Sequence, residues 1–383
     1  MTAQHPPAPA VDVVCLGESM VTFLPSRPGR LADVPSFERG IGGAESNVAC
    51  ALAAAGHSAR WISRVGADGF GDHLTGAVAA YGVDTSAVQR DPGRPTGIYF
   101  RTADDRDGDD HEVVYYRAGS AASAMAPGVL DGAALRSGRV LHLSGITAAL
   151  SPGCLALMRE LTAPAPGRPL VSFDVNFRPG LWRDADGAGP RVLLDLARGA
   201  DLVFVGEDEA AAAWGVRGAS AIRAELPEPG VLVVKRGAAG ATVFARTQDA
   251  PAGSSADDTV TIVPALRVDV VAPVGAGDAF AAGFLSGTLR GLPVRDRVRH
   301  GHLMAAAALT VHGDLADPPS REQADRLAAL DDTAWGTLRI GPGWTGTASG
   351  GTPPRTTGAD ATRADGDADG HTDRDADEEV RTP

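Results

Sequence analysis

Two patterns of apolar and polar positions alternate along the chain, and each predicts a different element. Short uninterrupted apolar runs are typical of strands that are buried on both faces of a sheet. We predict such strands at Val11–Leu16, Val140–Leu143, Leu170–Phe173, Leu202–Val205 and Val231–Val234. Helical spacing elsewhere predicts helices at Asn47–Ala55, Asp72–Tyr81, Ala276–Leu289 and Arg297–Val311. Strands that alternate with helices indicate a mostly parallel sheet flanked by helices, so the predicted fold class is α/β.

Two regions break this rhythm with short alternating strands joined by polar loops. One region contains Val21–Leu24 and Phe37–Ile41, and the other contains Gly97–Arg101 and His111–Tyr116 around the acidic hairpin tip at 104–110. Ligands of open α/β folds bind at the carboxyl edge of the sheet. We therefore predict a small β-sheet, from about 20–41 and 97–117, that forms a lid over that edge.

The two ends of the chain differ from the rest in composition. Residues 1–10 are rich in proline, and residues 341–383 are mostly Gly, Thr, Asp, Ala, Pro and Arg. A segment of this kind buries too little apolar surface to offset the entropy lost on ordering. We predict one folded domain over 11–340, a disordered N-terminus at 1–10 and a disordered acidic tail at 341–383.

Length and charge limit the classes of function. The chain has 383 residues, of which 44% are hydrophobic, so it can bury the core of a large α/β domain. Its formal net charge of −13 argues against nucleic-acid and membrane partners. The three cysteines are predicted to be buried reduced thiols, and we expect a cytoplasmic protein because no apolar stretch approaches the length of a membrane span.

One glycine-rich segment carries the clearest chemistry. In Pro273-Val-Gly275-Ala276-Gly277-Asp278-Ala-Phe280, two glycines precede a predicted apolar helix. The N–H groups at a helix N-terminus are unpaired and attract anions, and glycine lets a phosphoryl group approach them. The segment is not a P-loop, because no Gly-Lys-Ser/Thr follows. Asp278 is either a first-turn helix residue or a carboxylate placed beside a bound anion.

A second glycine-rich segment, Gly40-Ile-Gly42-Gly43-Ala-Glu-Ser-Asn47, precedes the first predicted helix. Paired glycines allow close approach of a polyol, and the amide of Asn47 offers both a donor and an acceptor. Taken alone, the segment is equally typical of a turn with an asparagine cap.

Together the two segments resemble the signatures of the ribokinase-like (PfkB) sugar kinases, and the resemblance covers roughly Val11 to Pro319. It implies a ribokinase-like fold, phosphoryl transfer from ATP with Mg²⁺, and a homo-oligomer assembled through the lid. Asp278 would be the catalytic base, and the amides of Gly275, Ala276, Gly277 and Asp278 would form an anion hole. Glu209 would act on Mg²⁺ through water. The nucleotide would contact Asn176, Arg178, Lys235, Arg236, Gly237, Gly240, Gly275, Gly277 and His302.

Two further segments resemble the 2-keto-3-deoxygluconate kinases of this family. They are Tyr115-Tyr116-Arg117-Ala-Gly-Ser and Asp174-Val-Asn176-Phe-Arg178-Pro-Gly. The resemblance implies a sugar-acid substrate, phosphorylated at the 6-hydroxyl, whose carboxylate is held by Arg117 and Arg178, since arginine grips carboxylates with two hydrogen bonds. The substrate contacts would come from Gly42, Gly43, Asn47, Tyr99, Tyr115, Tyr116, Arg117, Arg178 and Asp314.

The chain departs from the family pattern at two positions. An aspartate usually stands six positions before the base, where this chain has Ala272, so the resemblance does not carry over the monovalent-cation site. Gly206 replaces the asparagine of the N-x-x-E motif that ends at Glu209.

Three alternatives stand beside a sugar-acid kinase. A kinase of a neutral sugar, such as a fructokinase, or of a nucleoside needs no arginine pair. A non-catalytic sugar-binding regulator would tolerate loss of the base, yet Asp278 and its glycines are present. A nicotinamide-dependent dehydrogenase would need G-x-G-x-x-G after a strand, and no predicted strand is followed by it.

Overall fold

The computed structural model describes residues 10–102, 113–182, 189–246, 258–346 and 355–356. Its strands, numbered along the chain, are β1 (Val11–Leu16), β2 (Met20–Pro25), β3 (Phe37–Gly42), β4 (Ala59–Ile62), β5 (Arg64–Gly66), β6 (Gln89–Asp91), β7 (Ile98–Arg101), β8 (Val113–Tyr116), β9 (Gly138–Ser144), β10 (Leu170–Asp174), β11 (Leu202–Gly206), β12 (Val231–Lys235), β13 (Ala241–Arg246), β14 (Asp258–Val263), β15 (Arg267–Val268), β16 (Leu338–Ile340) and β17 (Arg355–Thr356).

The α-helices are α1 (Ala44–Ala54), α2 (Gly69–Ala80), α3 (Gly132–Leu135), α4 (Gly145–Ala148), α5 (Pro152–Thr162), α6 (Arg191–Arg198), α7 (Glu207–Trp214), α8 (Ala219–Glu225), α9 (Ala276–Leu289), α10 (Val294–Leu309), α11 (Arg321–Ala328) and α12 (Asp332–Thr337). Short 3-10 turns lie at Ala122–Ala124, Pro179–Leu181 and Gly237–Ala239. Every strand and helix predicted from the apolar pattern is present, with ends that differ by a few residues.

The central sheet has eight strands in the order β14-β13-β12-β11-β10-β9-β1-β4. Neighbours from β12 to β4 are parallel, while β13 and β14 extend the sheet in the antiparallel sense. The predicted mostly parallel sheet is therefore confirmed. Because parallel strands end at the same edge, the loops after β1, β10, β11 and β12 gather there.

Both faces of the sheet are buried, which explains the uninterrupted apolar runs. In β1, Val13 and Cys15 join the core beneath α1, α9 and α10, whereas Val14 and Leu16 join the core on the opposite face with α5 and α6. Helices α9 and α10 approach closely at Gly283. A Cβ there would lie 2.4 Å from the His300 carbonyl oxygen, so only glycine fits.

A separate four-stranded sheet, in the order β3-β2-β7-β8, forms the predicted lid. An aromatic cluster lines it, with the Phe23 and Phe100 rings stacked at 4.7 Å and Phe37 edge-on to Phe100. The hairpin tip predicted at 104–110 lies outside the described residues. The homo-oligomer predicted to form through this sheet stays a prediction.

The folded domain extends past the predicted boundary at residue 340. Trp344 is only 2% exposed and belongs to the core under α9 and α10, and its carbonyl accepts a hydrogen bond from Gln323 Nε2. Strand β17, which pairs with β16, also falls within the predicted tail. The rest of the tail, and residues 1–9, lie outside the described residues.

All three cysteines, Cys15, Cys50 and Cys154, are buried and unpaired, as predicted. Within the described ranges, no helix combines the length and the apolar character that crossing a membrane requires.

A pair of truncations tests where the folded domain ends. A chain that stops after Gly346 should unfold at a higher temperature than one that stops after Ile340, because only the shorter one loses Trp344 from the core. Removing a buried large aromatic side chain costs about 3–5 kcal/mol, and thermal unfolding measures the difference. Both chains lack β17, so equal melting temperatures would show that Trp344 adds nothing to the core.

Candidate active site

The carboxyl ends of β10, β11 and β12, the N-terminus of α9 and the lid surround a cleft of about 330 Å³. Nine of the residues predicted for the site line it. The lining residues are Tyr99, Arg101, Val113, Tyr115, Asp174, Asn176, Arg178, Glu209, Lys235, Pro273, Val274, Gly275, Gly277 and Asp278.

The predicted anion hole is the first turn of α9. Gly275 caps this helix with φ +76°, and a Cβ there would lie 2.3 Å from the Asp314 carbonyl oxygen, so both conformation and space require glycine. The N–H groups of the first turn have no acceptor within the helix. They and the helix dipole favour an anion at this point of the cleft.

Asp278 stands in that first turn and is partly exposed to the cleft. Desolvation by the surrounding protein raises the pKa of its carboxyl to about 7, and the nearby Asp174 adds to the rise. Asn47 Nδ2, 2.9 Å from Asp278 Oδ2, donates a hydrogen bond that opposes the rise. A carboxylate with a pKa near neutrality is well matched to accept a proton from an alcohol.

Lys235 lies beside Asp278 at the end of β12. Its Nζ contacts both carboxylate oxygens of Asp174, at 2.9 and 3.1 Å. Burial alone would lower the pKa of Lys235, but Asp174 and Glu209 outweigh it and raise that pKa, so the side chain is a cation. Glu209 accepts a hydrogen bond of 2.8 Å from the Gly206 N–H, and desolvation raises its own pKa.

A larger cavity, of about 760 Å³, adjoins the cleft and shares Lys235 and Gly277 with it. Gly237, Gly240 and His302, all predicted for the nucleotide, line this cavity. A Cβ on Gly240 would lie 2.1 Å from the Val263 carbonyl oxygen, and φ there is +98°. Arg236 is not among the lining residues; its guanidinium donates to the Ala239 carbonyl at 3.1 Å.

Asp314 links the lid to the anion hole. It accepts hydrogen bonds from Tyr99 Oη at 3.1 Å and Arg101 Nη2 at 3.3 Å, both on β7. Gly42 passes so close that a Cβ would lie 2.6 Å from Asp314 Oδ2, whereas a Cβ on Gly43 would meet the Glu18 carbonyl oxygen. These contacts bring Tyr99, Gly42 and Asp314 together as predicted, beside the base.

Six of the residues predicted to contact the substrate are not among those that line this cleft: Gly42, Gly43, Asn47, Asp314, Arg117 and Tyr116. Of these, Arg117 and Tyr116 have partners of their own. Arg117 does not line the cleft, because its guanidinium forms an ion pair with the fully buried Glu18, with an Nε to Oε2 distance of 2.7 Å. Tyr116 is 62% exposed and lies edge-on to Phe100, on the opposite side of β8 from Tyr115, which does line the cleft. Successive residues of a strand face opposite sides, so the tyrosines cannot both reach the substrate.

Sequence reasoning missed Arg101 and Glu18. Arg101 follows Tyr99 by two positions in β7, and this spacing puts both side chains on one face of the lid. Because alternate residues of a strand face the same side, the position of Arg101 relative to Tyr99 could have identified it from the sequence. Glu18 had a weaker signal, a carboxylate just after the buried strand β1.

Asn176 combines an unusual backbone conformation with a buried side-chain oxygen that has no partner. It has φ +40°, the only positive φ at a non-glycine residue among the described residues, and its buried Oδ1 lacks a hydrogen-bond partner in the protein. Such strain and an unsatisfied acceptor persist where a site holds them in place. Arg178, two residues on, is exposed and lines the same cleft.

The carboxylates of the cleft suit Mg²⁺ only when a nucleotide is bound with it. Among the described residues there is no group of three or more His, Cys, Asp or Glu side chains placed to hold a metal ion. Mg²⁺ bound with a nucleotide needs only one or two carboxylates, because phosphate oxygens and water complete its shell. Asp174 and Glu209 fit that requirement. Ala272, which is buried, offers no side-chain oxygen for a monovalent cation.

Comparison with known proteins agrees with this geometry. The pfkB family carbohydrate kinase model matches residues 10–321. A 2-dehydro-3-deoxygluconokinase of Thermoproteus tenax is 34% identical over 326 residues, which cover 85% of this chain and 96% of that protein. Probable fructokinase-6, chloroplastic, of Arabidopsis thaliana is 30% identical over 81% of this chain and 80% of its own length.

A solved structure of an uncharacterized sugar kinase from Pyrococcus horikoshii in complex with ATP superposes with a TM-score of 0.69. It is 25% identical, and the match covers 84% of this chain and 98% of that one. The family match spans residues 10–321, which include Asn47 and the first turn of α9 with Asp278. The chain belongs to the pfkB family of carbohydrate kinases, which phosphorylate sugars with ATP.

Proposed function

We propose that this carbohydrate kinase acts on a sugar acid, most simply 2-keto-3-deoxygluconate, and forms its 6-phosphate. The observation that carries the proposal is that two arginines, Arg101 and Arg178, line the same cleft as the carboxylate of Asp278. Guanidinium groups bind carboxylates with paired, charge-assisted hydrogen bonds. The 2-dehydro-3-deoxygluconokinase of Thermoproteus tenax supports the same substrate class.

In this proposal, Asp278 is the general base. Its carboxylate accepts the proton of the substrate hydroxyl while the hydroxyl oxygen forms a bond to the γ-phosphorus of ATP. The bond from that phosphorus to the bridging oxygen breaks, and ADP leaves. The first-turn N–H groups at Gly275, Ala276 and Gly277 face the charge that develops on the transferred group, which is the main demand of phosphoryl transfer.

Lys235 and Asn176 have the placement needed for the phosphates. Lys235 lies where the cleft and the larger cavity meet, so its ammonium group can contact phosphate oxygens that pass between them. Asn176 lines the cleft beside it. Mg²⁺, when bound with ATP, would neutralise phosphate charge, and Asp174 and Glu209 are the carboxylates that would hold it, directly or through water.

A neutral-sugar kinase is the second candidate, and one contact favours it. Arg101 already pairs with Asp314 at 3.3 Å, so part of the positive charge in the cleft is balanced without a substrate carboxylate. The Arabidopsis relative named as a probable fructokinase belongs to the same family. The substrate experiment below separates the two.

The first prediction concerns the base. Asp278→Asn should lower kcat by about 10²-fold or more, because the amide cannot accept the proton that general base catalysis removes. Nucleotide binding and melting temperature should change little, since the side chain keeps its size and partner. Steady-state kinetics and calorimetry measure both, and near-normal turnover would contradict the role of Asp278.

The second prediction concerns pH. With a pKa of about 7, Asp278 is protonated and inactive as a base on the acid side, so kcat/KM should rise as pH increases through about 7. The hydrogen bond from Asn47 stabilises the charged carboxylate and lowers this pKa. Asn47→Ala should therefore move the acid limb to higher pH. A limb that stays in place would show that Asn47 does not tune the base.

The third prediction concerns the acid group. Arg101→Met should lower kcat/KM for 2-keto-3-deoxygluconate relative to that for fructose by roughly 10- to 150-fold, the worth of one charge-assisted hydrogen bond. Dividing the two constants cancels any loss that both substrates share, including the loss of the contact with Asp314.

Arg117→Met is the matched control for that experiment. Because Arg117 is engaged by Glu18 outside the cleft, its loss should weaken both substrates alike. If Arg117→Met selectively impairs the acid and Arg101→Met does not, Arg117 is the carboxylate ligand after all. If neither variant changes the ratio, the neutral-sugar kinase is favoured.

A further inference from the structure

Helix α1 carries Asn47, the hydrogen-bond partner of Asp278, in a first turn that has to be held from outside the helix. Gly43 occupies the N-cap position, and glycine has no side chain that could accept from the N–H groups of that turn. A helix start without such a cap frays more readily. Other contacts must therefore keep Asn47 Nδ2 within 2.9 Å of the Asp278 carboxylate.

Glu45 lies in the same turn and is a fully buried carboxylate that does not line the cleft. Its Oε1 accepts hydrogen bonds from Ser144 Oγ at 2.8 Å and from Thr147 Oγ1 at 2.7 Å. Ser144 is the last residue of β9, and Thr147 lies in α4. The two hydrogen bonds tie the start of α1 to the carboxyl edge of the central sheet.

The carboxyl group of Glu45 also occupies the space beside Gly17, the residue that follows β1. A Cβ on Gly17 would lie 2.0 Å from Glu45 Cδ, so a larger residue at this position would push the carboxyl group away. Strands β1 and β9 are neighbours in the sheet. The carboxyl group therefore lies between the ends of two adjacent strands, and its position is closely defined.

Glu45 and Asn47 act on opposite sides of the first turn. They are two positions apart, which is a rotation of about 200° around a helix. Asn47 reaches α9, whereas Glu45 reaches β9 and α4. Between them, Ser46 Oγ lies 2.8 Å from Ser19 Oγ, which adds a third contact. The turn is thus fixed from the sheet side while it presents Asn47 to Asp278.

We propose that Glu45 is a positioning residue for phosphoryl transfer, which fixes the first turn of α1 so that Asn47 holds the Asp278 carboxylate. Glu45 acts through Asn47 and does not touch the substrate. The inference rests on the proposed role of Asp278 as the base, and it adds a residue outside the cleft on which that base depends.

The test compares the acid limb of kcat/KM among variants, with whichever of 2-keto-3-deoxygluconate and fructose the wild type phosphorylates faster. Asn47→Ala should move the limb to higher pH by about one to two units, the worth of one hydrogen bond to a charged group. Glu45→Met should reproduce most of that shift, because methionine has a similar length but cannot replace the carboxylate as acceptor for Ser144 and Thr147. The double variant should shift no further than Asn47→Ala alone, since both changes act through one hydrogen bond.

Two controls separate positioning from charge and from stability. Glu45→Gln should keep the wild-type limb, because its amide oxygen can accept both hydroxyl hydrogen bonds. Its side chain cannot titrate, so an unchanged limb also shows that the limb does not belong to Glu45 itself. Leu52→Ala, a change of a fully buried core residue on the same helix, should lower the melting temperature and leave the limb in place.

The inference is overturned if Glu45→Met lowers the melting temperature without moving the limb, or if Glu45→Gln moves the limb as far as Glu45→Met does. Should Glu45→Met fail to fold, Thr147→Val decides, because it removes one of the two hydroxyl donors, keeps the side-chain shape and should give a smaller shift in the same direction. A wild type without an acid limb near pH 7 would instead contradict the proposed base. The two failures are distinguishable, because only the first leaves the limb and its shift in Asn47→Ala intact.

Discussion

The hydrogen bond from Asn47 to Asp278 joins the two helices that follow the glycine-rich segments, α1 and α9. Asn47 lies in the first turn of α1 and Asp278 in the first turn of α9, 231 residues later. Both helices pack on the same face of the sheet, so their N-termini meet at its carboxyl edge. That contact holds one oxygen of the Asp278 carboxylate beside the free N–H groups at the start of α9. Positioning of this kind is what phosphoryl transfer asks of a protein.

Close backbone approaches make this meeting possible. Gly42 and Gly275 both lie against Asp314, at distances where a Cβ would overlap it. Asp314 in turn accepts hydrogen bonds from Tyr99 and Arg101 of the lid. The lid and the glycine turn before α1 therefore meet at the Asp314 carboxylate, while Gly275 packs against the main-chain carbonyl of the same residue.

Charge in the cleft is balanced by local pairs. Lys235 offsets Asp174, and Arg101 offsets Asp314, which leaves Asp278 in a desolvated place with its pKa raised toward neutrality. Outside the cleft, Glu18 and Arg117 form a buried pair at the point where β8 leaves the lid. A buried pair is costly to break, because either charge left alone would be unsolvated. We regard this pair as an anchor of the lid.

The sequence by itself determined the parts that depend on local order. Uninterrupted apolar runs identified the buried parallel strands, because both faces of that sheet are covered. The Gly-Ala-Gly-Asp segment predicted the start of α9 and the place of Asp278 in its first turn, because a helix start needs only consecutive residues to form its free N–H donors. The family resemblance then predicted nucleotide contacts for Lys235 and His302, and both residues line the larger cavity.

Only the tertiary structure decided which side chains share a cavity. Arg117 looked like a carboxylate ligand beside Tyr115, yet Glu18, far away in sequence, engages it, while Arg101 faces the cleft. Trp344 stood in a segment without apolar periodicity, yet it fills a gap in the core. Neither outcome can be read from spacing, because an ion pair or a filled cavity depends on partners that folding brings together over long stretches of chain.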